Sequence, residues 1–173
     1  GGAGFIGSNF ILKFLEASNE NLLNLDNLSY AANLSNLKAI DSDPRYSFSK
    51  INIQNQSEVE AIVKKVKPRA ILNFAAESHV DRSIEGPENF INTNILGTYS
   101  LLEAALNYWN DLDESGKKIF RFFHISTDEV FGSLDINDKK STEESSYKPN
   151  SPYSASKAAS DHLVRAWHHT FKL

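Results

Sequence analysis

The chain of 173 residues contains no cysteine and no methionine. Without cysteine there is no disulfide, no thiolate-bound zinc and no thiol nucleophile. The same absence fits a reducing compartment, so a cytoplasmic location is expected. No apolar run approaches the roughly 20 residues of a membrane span, and no secretory leader opens the chain, so no membrane partner is expected. The net charge of −4 argues against a nucleic-acid surface. The histidines, at positions 79, 124, 162, 168 and 169, show no ligand spacing with the acids, so no metal is expected.

What is present suits one globular domain with a real core. Hydrophobic residues make up 40% and charged residues 23%. A domain of this size buries roughly 70% of its unfolded surface. Both ends read as cut. The first residues already belong to a motif that normally follows a strand, and Leu173 ends an apolar helical pattern with no stop signal.

Apolar spacing predicts helices over 8–17, around Leu34, Leu37 and Ile40, and over 58–66, 90–109 and 153–171. In the helix over 90–109 the predicted apolar face holds Ile91, Ile95, Leu101, Leu102 and Ala105. Strands are predicted at 21–25, 46–53, 70–75 and 119–125. The run 70–75 is almost continuously apolar, as buried parallel strands are. Residues 133–152 read as a polar surface loop. Strands that alternate with helices point to βαβ units around a parallel sheet.

Gly1-Gly2-Ala3-Gly4-Phe5-Ile6-Gly7 opens the chain directly before a helix. Glycines at these spacings let the backbone turn tightly and let a pyrophosphate approach it, and the helix N-terminus offers free N–H groups. Asp26 ends the next strand, near the roughly 20-residue offset of a carboxylate that bonds ribose hydroxyls. A carboxylate there repels a 2′-phosphate, which favours NAD over NADP. A plain strand-end turn residue with an Asx bond is the other reading of Asp26.

Tyr153 and Lys157 stand four residues apart at a predicted helix start, so they share a face. A nearby ammonium stabilises a phenolate, and Tyr153 could then take a hydroxyl proton as hydride leaves the same carbon. Asp128 and Glu129 close the last predicted strand, where open parallel sheets bind their ligands. Two adjacent carboxylates can divide into an acid and a base. An exposed acidic turn is the other reading of that pair.

Taken together these blocks resemble the extended short-chain dehydrogenase/reductase superfamily, and within it the nucleotide-sugar 4,6-dehydratases. The resemblance runs through Gly1 to Ser8, Asp26 to Ala31, Asn73 to Ile84, Thr93 to Thr98, His124 to Gly132 and Pro149 to Ala158. Thr127-Asp128-Glu129 separates this group from the epimerases and decarboxylases that share the glycine loop and the Tyr/Lys pair.

The resemblance implies an α/β fold, a Rossmann-like doubly wound parallel sheet. The chain would be its partial NAD-binding domain, 1–173, without the first strand and without a C-terminal substrate domain. It implies NAD as cofactor, held by Gly1, Gly4, Phe5, Ile6 and Gly7, by Asp26, Asn27, Leu28 and Ser29, and by Asn52 and Ile53. Phe74, Ala75, Ala76, Glu77 and Ser78, then Thr93, Tyr153 and Lys157, would complete the cofactor site. Asn52 stands where these relatives usually carry Asp, which alters the contact to adenine. Thr127 and Ser78 would bind substrate; Asp128, Glu129, Tyr153 and Lys157 would be catalytic.

The implied reaction is redox-neutral dehydration of a nucleotide sugar, dTDP-glucose, to a 4-keto-6-deoxy sugar. The implied assembly is a homodimer through the helices 90–109 and 153–171. The residues alone leave the base open among thymine, uracil, cytosine and guanine. A UDP-sugar 4-epimerase or decarboxylase, and a catalytically inert NAD-binding piece, are the competing readings. The 173 residues by themselves are expected to turn over little.

Overall fold

A computed structural model describes residues 1–173. Helix α1 (Phe5–Ala17) follows the glycine loop directly, and its buried face is Ile11 and Leu15. Strand β1 (Leu22–Asp26) pairs in parallel with β2 (Tyr46–Lys50), with Leu22 opposite Tyr46 and Asp26 opposite Lys50. A 3-10 segment, Leu34–Ile40, lies between them and packs Leu37 against Ile11 and Leu15.

Helix α2 (Gln56–Val66) starts at Asn55, whose side chain accepts from the Glu58 N–H. That bond satisfies a helix-end donor that would otherwise lack a partner. The helix stops at Lys67 in the left-handed region, one residue before Pro68. Strand β3 (Ala70–Asn73) pairs in parallel with β4 (Arg121–His124), Asn73 opposite His124.

The larger core packs Val59 and Val63 of α2 against Leu101, Ala104, Ala105 and Tyr108 of α5 (Thr98–Asn110), with Phe120 beside them. Burying each such side chain contributes about 1.5–3 kcal/mol. The last helix, α7 (Pro152–Phe171), has a capping box between Ser151 and Ser154 and Pro152 at its first turn. Those signals fix where Tyr153 and Lys157 emerge.

The chain thus has the α/β, parallel-strand architecture its alternating pattern predicts, and four corrections accompany it. The strands form two parallel pairs, not one continuous sheet. The glycine loop stands at the seam between them: the Gly1 amine donates to Leu25 O at 2.5 Å, and a Cβ on Gly1 would fall 2.6 Å from Ala75 Cα.

The long helix is not uniform either. Glu88–Phe90 (α4) runs into a π-helical stretch, Ile91–Gly97, before α5. The wider turn rotates Ile91 outward, to 49% exposure, while Phe90 is buried. Ile119 belongs to a short helix, α6 (Glu114–Ile119), capped by Asp113, and not to the following strand. Its apolar side chain, read without that cap, mimics a strand start. Helix α3 (Val80–Glu85) and a 3-10 turn at Asp128–Phe131 were not expected from periodicity, because both are too short to show one.

Candidate active site

A cleft of ≈ 620 Å³ runs across the seam of the two strand pairs. One end is built from backbone. Gly4 is the N-cap of α1 and gives it no side-chain cap. The N–H groups of Phe5, Ile6 and Gly7 therefore take no backbone acceptor, and the first bond in this turn is Ser8 N–H to Gly4 O at 2.9 Å. Unpaired N–H groups at a helix N-terminus are a ready anion site. Gly4 lines the cleft, and a Cβ there would meet only Gly1 O, at 3.4 Å. Gly7 is different: a Cβ would fall 2.7 Å from Gly2 Cα, so the loop closes only on glycine.

Asp26 is buried at the same end. Its Oδ2 accepts from Ala3 N–H at 2.9 Å and its Oδ1 from Leu28 N–H at 2.8 Å. The Asx bond expected of a turn residue is thus present, and a second tie holds the glycine loop to β1. Each oxygen keeps a further lone pair for a ligand. Leu28, at φ 57°, serves this turn and is not part of the cleft wall, whereas Asn27 and Ser29 are. Asn52 Oδ1 accepts from Gln54 N–H at 3.0 Å, and Gln54 donates to Thr93 Oγ1 at 3.1 Å. Gly1, Phe5, Ile6, Asn52, Ile53 and Thr93 all line the cleft, as do Phe74, Ala75, Ala76, Glu77 and Ser78.

Spacing along the chain does not single out several other residues in and behind the wall. Tyr30 and His79 meet at the cleft through a 2.8 Å hydrogen bond. Arg82 stacks on the Tyr30 ring at 3.7 Å. Asn94 is buried and carries the Ala75–Ser78 loop: its Oδ1 accepts from Glu77 N–H at 2.8 Å, and its Nδ2 donates to Glu77 O at 3.0 Å and Ser156 Oγ at 2.8 Å. Asn94 sits in the resemblance block at Thr93–Thr98, but its partners are distant in sequence.

The other end of the cleft is built from buried side chains. Tyr153 and Lys157 both line it, and both are almost fully buried. Thr127, Asp128 and Glu129 stand outside the cleft wall but beside Tyr153. Burial pushes the Tyr153 phenol up, the Thr127 hydroxyl bonded to it pulls it down, and the charges of Glu129, Asp128 and Asp161 raise it again. The Lys157 ammonium, expected beside this phenol, is anchored on the strand end: its Nζ donates to Ile125 O at 2.6 Å and lies 3.4 Å from His124 Nε2. Burial lowers the lysine itself, and Asp161 raises it.

His124 ties β3 to α7. Asn73 Oδ1 accepts from Ala75 N–H at 3.1 Å, which orients its amide. The Asn73 NH₂ then donates to His124 Nδ1 at 3.1 Å, so the proton of the neutral ring lies on Nε2. Nε2 faces Ser160 Oγ at 3.1 Å and Asp161 Oδ1 at 3.5 Å. Desolvation, helped by the Lys157 charge, pushes His124 down to about 3, so the ring is neutral near pH 7.

The cleft thus has a backbone anion site at one end and a Tyr, Lys and paired-acid cluster at the other, the arrangement expected of a dinucleotide site of the short-chain dehydrogenase type. The model of the GDP-mannose 4,6 dehydratase family matches residues 1–173, and the chain belongs to that family. It is 53% identical over 173 residues to dTDP-glucose 4,6-dehydratase of Haemophilus influenzae, covering 100% of this chain and 51% of that protein.

Among solved structures it is similar to DesIV, a dTDP-glucose 4,6-dehydratase from Streptomyces venezuelae with NAD bound. That match has TM-score 0.90 and 42% identity, over 100% of this chain and 51% of the other. A UDP-glucose 4-epimerase from Thermus thermophilus in complex with NAD matches at TM-score 0.85 and 28% identity, over 100% of this chain and 50% of the other. The chain spans about half the length of the curated relatives it matches.

Proposed function

We propose that the protein carrying this chain is an NAD-dependent dTDP-glucose 4,6-dehydratase, and that residues 1–173 supply its NAD-binding domain. The observation that carries the reading is the acid pair Asp128–Glu129 placed against a buried Tyr153 at one end of the cleft. Epimerization at one carbon needs no such pair; loss of water across a carbon–carbon bond needs an acid and a base.

The cleft fits the dinucleotide on two counts. The free N–H groups of Phe5, Ile6 and Gly7 suit a pyrophosphate, and an open surface at Gly4 admits it closely. The spare lone pairs of Asp26 suit ribose hydroxyls. Bound there, NAD supplies a hydride acceptor that later returns the hydride, so the net reaction is loss of water.

The chain's own residues handle the protons. Tyr153 takes the proton of the sugar 4-hydroxyl, and Thr127 hydrogen-bonds O4. The carbonyl so formed at C4 acidifies the C5 proton, which Glu129 removes and gives back to C5 as the hydride is returned at C6. Asp128 gives a proton to the departing C6 hydroxyl. Lys157, fixed by Ile125 O and standing beside neutral His124, keeps a positive charge next to this chemistry and offers a contact to the nicotinamide ribose. Ser78, on the exposed side of the cleft, contacts the substrate.

Relatives of this chain are about twice its length, so the 173 residues alone are proposed to turn over little. A homodimer through α5 and α7 is also proposed. Ile91, Leu96, Tyr99 and Phe171 leave large apolar surfaces exposed on these helices and the π-helical stretch before α5. Sedimentation of the full protein at micromolar concentration checks this; a monomer contradicts it.

Asp128→Asn tests the catalytic assignment. It should leave NAD affinity within about twofold and slow formation of the 4-keto-6-deoxy product on the order of 100-fold. Full activity in that variant overturns the assignment.

A further inference from the structure

Asp161 lies one helical turn beyond Lys157 on α7, and only 12% of its side chain is exposed. Its carboxylate gathers three donors, two from β4 and its exit and one from the loop that precedes α7. Oδ2 accepts from Ser126 Oγ at 2.5 Å, at the end of β4, and from Tyr147 OH at 3.0 Å, in the 133–151 loop. Oδ1 faces the Nε2 proton of His124 at 3.5 Å.

Ser126 is the residue directly before Thr127, Asp128 and Glu129. The Tyr147 loop is tied to the same turn a second time, by Lys148 N–H to Val130 O at 2.9 Å. One half-buried anion therefore closes a bracket around the turn that carries the acid pair. The same anion stands one helical turn from Lys157 and shares a neighbour with it: His124 Nε2 lies 3.5 Å from Asp161 Oδ1 and 3.4 Å from Lys157 Nζ, and the lysine's own contacts, that neutral imidazole and the Ile125 carbonyl, carry no negative charge. A buried ammonium with no compensating charge is costly and tends to lose its proton.

We propose that Asp161 is a positioning residue of this site, holding the Thr127–Glu129 turn through Ser126 and Tyr147 while supplying the negative charge that keeps Lys157 an ammonium. The proposal rests on the assignment of Tyr153, Lys157 and the acid pair as the reacting cluster. The titratable groups set against Asp161 are His124 from β4, Tyr147 from the loop, and Lys157 and Tyr153 on its own helix. Of these, Lys157 alone is an ammonium next to it. The role therefore separates into a charge effect and a bracing effect.

The test uses the chain labelled at lysine with ¹⁵N, and reads the titration of the Lys157 ammonium by NMR together with amide hydrogen exchange at Glu129 and Val130. Asp161→Asn should lower the proton affinity of Lys157 about tenfold, with Asp161→Glu restoring most of it. The pair Ser126→Ala with Tyr147→Phe keeps the charge; it should leave the lysine titration within about twofold and speed exchange at Glu129 and Val130 by at least about tenfold. An unchanged Lys157 titration in Asp161→Asn overturns the charge role. Unchanged exchange in the Ser126/Tyr147 pair overturns the bracing role. If Asp161→Asn does not fold, Asp161→Ser removes the same charge and decides the charge role, and the Ser126/Tyr147 pair still decides the bracing role. None of these readouts depends on turnover, so failure of the dehydratase reading, seen as no 4-keto product from the full protein, is distinguishable.

Discussion

The two ends of the cleft are built by opposite means. At the glycine-loop end the working groups are backbone N–H groups, and the side chains of Phe5 and Ile6 stand 80% and 62% exposed. At the Tyr153 end the working groups are side chains, buried and joined by hydrogen bonds through Asn73, His124, Ser160 and Asp161. A backbone site tolerates changes of side chain but not of chain path. A side-chain site tolerates neither loss of a partner nor a stray charge, because buried polar groups left unpaired are costly.

The sharpest break of this comparison is a proton on His124. Its folded value of about 3 lies below the ordinary histidine value of 6.5. Between those values the unfolded chain binds the proton and the folded one does not, so stability is complete above 6.5 and falls as pH drops through the window. The whole effect is on the order of 5 kcal/mol, and about 2 kcal/mol of it falls between pH 7 and 5. Urea titrations at the two pH values measure it, and His124→Gln should flatten the difference. An equal loss in wild type and variant would place the pH sensitivity elsewhere.

Next in size is Asn94→Ala, which strips the hydrogen bonds to both backbone groups of Glu77 and to Ser156. It should cost about 3 kcal/mol and free the Ala75–Ser78 loop. Thermal melting and amide exchange at Glu77 read both effects. Gly7→Ala comes third, at about 2 kcal/mol, because its Cβ meets Gly2 Cα. Gly4→Ala, with room around it, should leave stability nearly unchanged yet weaken NAD binding on the order of tenfold by calorimetry. Phe5→Ala is the smallest, within about 0.5 kcal/mol of wild-type stability, because the exposed side chain braces nothing.

The same contrast explains what could be read from sequence. Backbone chemistry leaves a local signature, so the glycine loop, Asp26 and the βα alternation were legible in short windows. Tyr153, Lys157 and the acid pair were also legible, as residue types at fixed spacing. What holds them was not. Asn94 works through residues 17 and 62 positions away, and Asp161 through residues 14 and 35 positions away. On a helix read alone, Asp161 looks like a solvated acid. The direction of Lys157, toward Ile125 O, depends on where β4 ends in space. Likewise the π-helical turn that exposes Ile91 leaves no periodic trace in so few residues.

On the proposed reading the Tyr153 end of the cleft acts on one sugar, with Tyr153 at C4 and the acid pair at C5 and C6, while the glycine-loop end holds the dinucleotide. Turnover of dTDP-glucose carrying deuterium at C4 by the full protein with NAD tests it most directly. The predicted product is a 4-keto-6-deoxy sugar with the deuterium at C6. A product that keeps the deuterium at C4, with the C6 hydroxyl in place, would contradict the account.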